Sequence, residues 1–138
     1  MKKWEFLYDD KNRGTNISYW VHIGVDEESK GYWSCDEYIP PFPAKVPGKG
    51  YPLLLVVVQG WSFSFASMVE LTHCIDVLSQ KNLPTTMALS KQRGTSAGPN
   101  SHWLSRFPSK FKPWRKRERL VTVFKKVRAE IARESINF

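Results

Sequence analysis

Apolar and polar positions along the chain mark out most of its regular elements. Residues 3–8 and 17–25 are short runs rich in aromatic and β-branched side chains. In the second run Ile17, Tyr19, Val21 and Ile23 alternate with Ser18, Trp20, His22 and Gly24, the period-two pattern of a strand with one apolar face. Between the runs lies Asp9-Asp10-Lys11-Asn12-Arg13-Gly14, a cluster of turn formers, so the pattern predicts an antiparallel hairpin. Residues 32–38 read as a further short strand. Pro40, Pro41, Pro43, Pro47 and Pro52, with Gly48 and Gly50 among them, then exclude a helix or a central strand over 39–52. That segment is either a flap over a site or a long connection.

Residues 53–59, LLLVVVQ, are apolar on both faces and predict a central buried strand. A helix follows over about 64–81, with Phe65, Met68, Leu71, Thr72, Ile75 and Leu78 on one face. Ser67 and Glu70 have the spacing of a capping box, and Ser64 is the other candidate N-cap. Residues 83–90 read as another strand, so strand, helix and strand predict a βαβ unit with parallel strands and a right-handed crossover. A loop over 91–100 leads to a short turn over 101–106 that Pro108 must stop. Pro113 opens the last helix, about 113–134 and on the order of 30 Å long. The expected fold is α+β. It is one compact domain over 1–138, with a mixed sheet made of the N-terminal hairpin and the βαβ unit, two long helices, and a basic helical part over about 101–134.

The last helix is the most informative element. Leu120, Val123, Phe124, Val127 and Ile131 fall on one face, and Arg115, Arg119, Lys126 and Arg133 on the other. Lys116, Arg117, Lys125 and Arg128 widen the basic side. Arg115, Lys116 and Arg117 crowd the positive end of the helix dipole, where cations are disfavoured, and Arg115 repels Arg119 one turn on. Such broken local rules tend to mark function. The net charge of +8 sits in the same region. Residues 1–89 hold 8 Lys and Arg against 10 Asp and Glu, a balance of −2, whereas residues 90–138 hold 13 against 3, a balance of +10. This asymmetry points to an anionic partner, nucleic acid or another polyanion, with an acidic protein or a merely solvated helix face as the alternatives. Trp103, Phe107, Phe111 and Trp114 alternate with Arg106, Lys110 and Lys112, an interleaving that suits base stacking beside phosphate neutralisation. The same rings also suit packing of the connection onto the body.

Other chemistry is weakly supported. The longest apolar run, residues 53–58, is far short of the roughly 20 residues that span a membrane. The first ten residues lack the apolar stretch of a secretion signal, which leads to a cytoplasmic expectation. Cys35 and Cys74 have no CxxC spacing, so neither a disulfide framework nor a zinc site is expected, and no cofactor motif is present. Glu70, His73 and Asp76 spread too widely round a helix to converge on one metal. Gly60-Trp61-Ser62 lacks the flanking glycines of a nucleophile elbow. If the βαβ unit forms, residues 59–64 and 91–102 meet at one sheet edge, and Trp61, Ser62, Arg93, Asn100 and His102 line a cleft for a nucleotide or small anion. A homo-oligomer built on exposed Trp20 and Trp33 is a third option.

The segment Gly98-Pro99-Asn100-Ser101-His102-Trp103-Leu104-Ser105-Arg106-Phe107-Pro108, followed by Lys112-Pro113-Trp114-Arg115, resembles a motif in small bacterial proteins carried by mobile integron gene cassettes. The resemblance covers about 40 residues of the C-terminal part. It implies a compact α+β domain with an accessory role, and it carries over no catalytic residue. The leading expectation is a non-enzymatic binding protein. Arg115, Arg119, Lys126 and Arg133 neutralise phosphate, Arg93, Arg106, Lys110 and Lys112 assist, and Trp103 or Trp114 stacks on a base.

Overall fold

The apolar run after the proline-rich loop becomes the middle strand of a three-stranded sheet. The computed structural model describes residues 3–11, 14–85, 88, 103–134 and 138. In chain order these form β1 (Trp4–Asp9), α1 (Ser18–Val21), β2 (Ile23–Gly24), α2 (Glu27–Lys30), β3 (Tyr38–Ile39), β4 (Tyr51–Val58), β5 (Trp61–Phe65), α3 (Met68–Leu78) and α4 (Trp114–Arg133). Short 3₁₀ turns occupy Tyr32–Ser34, Trp103–Arg106 and Ser109–Phe111. The main sheet has the order β1-β4-β5, and β2 and β3 make a separate two-residue ladder. Helices and antiparallel sheets together make the α+β class that the sequence predicts.

Within that class the strand partners differ from expectation. β1 pairs with β4, Trp4 opposite Val56 and Phe6 opposite Leu54, and not with residues 17–25. β4 runs straight into β5 through Gln59 and Gly60, with φ values of 50° and 81°. Positive φ at both central residues is the hairpin turn whose twist matches the flanking strands, and glycine takes it without strain. The predicted parallel βαβ unit is therefore replaced by an antiparallel hairpin followed by a helix. Leu83–Thr85 form no strand, and the rest of the predicted 83–90 strand, Ala88 apart, lies outside the described residues. One sheet face carries Trp4, Phe6, Leu54, Val56, Phe63 and Phe65 into the core. Phe124 of α4 meets that face, with its ring edge-on to Phe63 and Phe65 at 5.4 Å each.

Ser67, not Ser64, caps α3, with its Oγ accepting from the Glu70 N–H at 3.3 Å. Glu70 itself is wholly buried. Its Oε1 accepts from the Thr15 hydroxyl at 2.5 Å and the Ala66 N–H at 3.1 Å, and its Oε2 accepts from the Ser18 hydroxyl at 2.6 Å. His22 Nε2 lies 3.5 Å from Oε2. This demand for donors overrides the strand pattern of residues 17–25. On a helical turn Ser18 and His22 stand about 6 Å apart along the axis and both reach the α3 N-terminus, whereas an extended chain would keep them on one face but separate them by about 13 Å. Trp20 turns inward with them. His22 completes the cluster. The Pro40 carbonyl can only accept, so His22 Nδ1–H donates to it at 2.6 Å, and Nε2 is hydrogen-bonded to the Ser67 hydroxyl at 2.7 Å.

The far end of α3 is held by Arg117. The sequence puts this residue at the edge of the basic stripe, but it turns inward and is only 4 % exposed. Its guanidinium donates to the carbonyls of Leu78 (3.2 Å), Gln80 (2.7 Å), Lys81 (2.7 Å) and Lys112. These include carbonyls that the end of a helix leaves unsatisfied, and a cation there also complements the dipole. Burial lowers the Arg117 pKa, though a guanidinium stays charged near neutral pH. Replacing it strands several buried acceptors, so Arg117→Ala should destabilise the fold by about 3 kcal/mol or more. Arg117→Lys should restore only part, because one ammonium cannot address four carbonyls. Urea-unfolding midpoints measure both, and equal midpoints for wild type and Arg117→Ala would rule this role out.

Candidate polyanion-binding face

Leu120, Phe124, Val127 and Ile131 lock α4 onto the core, and Arg117 fixes its rotation from the same side. The opposite line of the helix must then face water. Arg115, Arg119, Lys126 and Arg133 are all exposed along it, as are Lys116 and Lys125 beside it. From Arg115 to Arg133 the row extends about 27 Å at 1.5 Å per residue. None of the four has an ion-pair partner among the described residues. The first turn of α4 contains no acidic residue, and Pro113 supplies no side-chain cap. Cations therefore stand at the positive end of the dipole with no acidic residue or side-chain cap in that turn, an arrangement that an incoming anion relieves.

A groove runs beside this row. One hollow of about 520 Å³ is lined by Lys3 and Trp4 of the sheet side and by Val123, Lys126, Val127, Glu130 and Arg133 of α4. A second, of about 220 Å³, is lined by Lys3, Val58, Gln59, Phe111, Lys116, Arg119 and Val123. Trp4 Nε1 donates to Glu130 Oε2 at 2.6 Å, which ties the carboxylate to the groove floor. The volumes fall at or somewhat below the roughly 300–1,000 Å³ of small-molecule sites. Lys3 and Trp4 are the participants that sequence reasoning misses. They reach α4 only because β1 pairs with β4, which places Val57 N–H on the Lys3 carbonyl at 2.9 Å.

The other expected participants divide. Trp103 is 2 % exposed, and its Nε1–H donates to His73 Nε2 at 3.0 Å, so its ring belongs to the core and is no stacking platform. Phe107 and Phe111 are buried with it and meet Phe63, which makes the interleaved aromatics a staple of the connection onto the body. Trp114 is half-buried, with the Arg117 guanidinium 5.1 Å from its ring centre. Arg106 is exposed but lines a separate hollow of about 500 Å³ with Ser62, Ser64 and Phe107. Lys110 lies over the Phe111 ring, and Lys112 is half-buried. Arg128 points to Thr72 Oγ1 at 3.5 Å.

Arg93, Asn100 and His102 lie outside the described residues. Trp61 and Ser62 sit on β5, just past a hairpin turn, and the parallel strand ends assumed for the alternative cleft are not formed by β4 and β5. Trp20 is buried, which removes it from any exposed interface, while Trp33 is exposed. Ser67 and His22 have the spacing of a nucleophile and its base. Both are buried, Phe42 stacks on the His22 ring at 4.1 Å, and Ser67 is occupied as the α3 cap, so the pair is structural. Among the described residues no group of His, Cys, Asp and Glu converges as a metal site, and no helix is long and apolar enough to cross a membrane.

Comparison with protein-family models, curated proteins and solved structures finds no match to this chain. The chemistry of the face therefore rests on its own geometry.

The His73–Trp103 bond makes a pH prediction. Burial lowers the His73 pKa below its ordinary 6.5, against smaller opposing effects of Asp76 and Glu70. The unfolded chain thus binds the proton more readily than the folded one, and stability is lost as pH falls below about 6.5. The thermal midpoint should drop between pH 7.5 and 5.5, and His73→Gln, which keeps an acceptor for Trp103, should flatten that drop. An unchanged pH slope in the variant contradicts the assignment.

Proposed function

We propose that the protein is a non-enzymatic binding protein that engages nucleic acid, or a polyanion of similar charge density, through the outer face of α4. The observation that carries this reading is the row Arg115, Arg119, Lys126 and Arg133, exposed along one helical line with no ion-pair partner among the described residues. A protein that leaves cations unpaired at the positive end of a helix dipole forgoes several small stabilising contacts, and an anionic ligand restores them. Lys3 and Lys116 extend the cationic surface into the groove. Phosphate charge supplies the affinity, so binding is expected to be largely independent of sequence. The cytoplasm suits this role, since nucleic acid is there together with reducing conditions that fit two unpaired cysteines, Cys35 and Cys74.

Counterion release gives the test. Four neutralised phosphates imply that log K falls against log salt with a slope of about −3 to −4. Fluorescence anisotropy with labelled oligonucleotides should return that slope, and Arg119→Glu with Lys126→Glu should reduce its magnitude by about 2. Both side chains are exposed, so the thermal midpoint of the double variant should stay close to that of wild type. Absence of binding to either single-stranded or duplex nucleic acid at low salt refutes the proposal.

A further inference from the structure

Resting on the polyanion reading, we infer that the groove beside α4 takes single-stranded nucleic acid in preference to duplex. The two hollows share Lys3 and Val123 and so adjoin each other along the flank of α4. Their banks are cationic, with Lys3 on the strand side and Lys116, Arg119 and Lys126 on the helix side. The floor between the banks is apolar, formed by Leu120, Val123 and Val127 of α4 with Trp4. A single strand offers phosphates on one side and uncovered bases on the other, which matches cationic banks over an apolar floor. A duplex offers phosphates outward and keeps its bases stacked inside. It can lie along the outer cations, but it cannot lower a base between Lys3 and α4.

The ends of the groove differ, and the difference sets where phosphate sits. Glu130 and Glu134 line one end. At the other end Lys116 and Arg119 stand beside the β4–β5 turn, where Val58, Gln59 and Phe111 form the wall. Trp61 is the cross-strand partner of Val58, and its ring meets Phe111 edge-on at 6.2 Å. Unlike Trp4 and Trp103 it is 43 % exposed, and through Val58 and Phe111 it adjoins the cationic end of the groove. A base stacked on Trp61 places its phosphates near Lys116, Arg119 and Lys3, away from the two carboxylates.

The experiment compares one labelled oligonucleotide of about 12 nucleotides, within the range of single-strand site sizes, with its own duplex at matched salt. The single strand should bind about tenfold tighter or more, the scale of one stacked base. Trp61→Ala should weaken single-strand binding several-fold and leave duplex binding unchanged, Trp61→Phe should keep most of the affinity, and Lys3→Gln should weaken single-strand binding more than duplex binding. Retention of a ring separates lost stacking from a disturbed hairpin. Equal affinity for the two forms, or Trp61→Ala with unaltered single-strand binding, overturns this inference and leaves the polyanion reading standing. No binding of either form overturns both.

Discussion

Burying a charge requires that its lone pairs or N–H groups be met, and α3 carries that requirement at both ends. Glu70 sits in the first turn and Arg117 of α4 at the last, each of the sign that its helix end favours. Neither is held by the other. Glu70 takes two hydroxyls and a backbone N–H, and Arg117 takes four carbonyls. Buried ions of this kind contribute little net stability but penalise every arrangement that leaves them unpaired, so they select among packings of similar apolar burial. The segment 15–22 is drawn onto α3 by the first ion, and α4 is drawn onto it by the second.

The second ion also connects the fold to its surface. Arg117 is one of three successive cations at the start of α4, and its inward turn settles which of the remaining ones face outward. Arg115 and Arg119 lie two residues to either side of it and are exposed. The apolar stripe from Leu120 to Ile131 continues the same phase, which places Lys126 and Arg133 on the outer line. An apparently uniform run of basic residues thus serves two purposes, one cation holding the core and the others left to a ligand. The aromatics of residues 103–111 show the same economy in the opposite sense. They suit base stacking by composition, yet they fill the space between β5 and the helices.

Sequence pattern reached the features governed by local periodicity. The middle strand, the Ser67 cap, the existence of both long helices and the phase of α4 all follow from residues close together in the chain. Features that depend on distant partners were hidden. Residues 17–25 have a strand's alternation, and only a carboxylate some fifty positions away makes a helical turn the better solution. The pairing of β1 with β4 skips over 40 residues, so Lys3 and Trp4 could not be placed beside α4 beforehand. Gly60 is a turn signal between the apolar run 53–58 and the alternating segment Trp61-Ser62-Phe63-Ser64-Phe65, whose Ser62 and Ser64 mark the outer face of a second strand, so this hairpin is legible in the sequence. Arg117 could have been told from its neighbours by phase, since it lies three residues before Leu120 and seven before Phe124 on the buried stripe.

The central claim is that the outer face of α4 and the groove beside it are where a polyanion binds. Backbone amide NMR of the ¹⁵N-labelled protein, titrated with a short oligonucleotide, locates the contact most directly. Shifts gathered on Lys3, Lys116, Arg119, Val123 and Lys126, with the indole signal of Trp61 moving and that of Trp103 still, are the predicted result. Shifts gathered instead around Arg106 and Phe107, or around Trp33, contradict it.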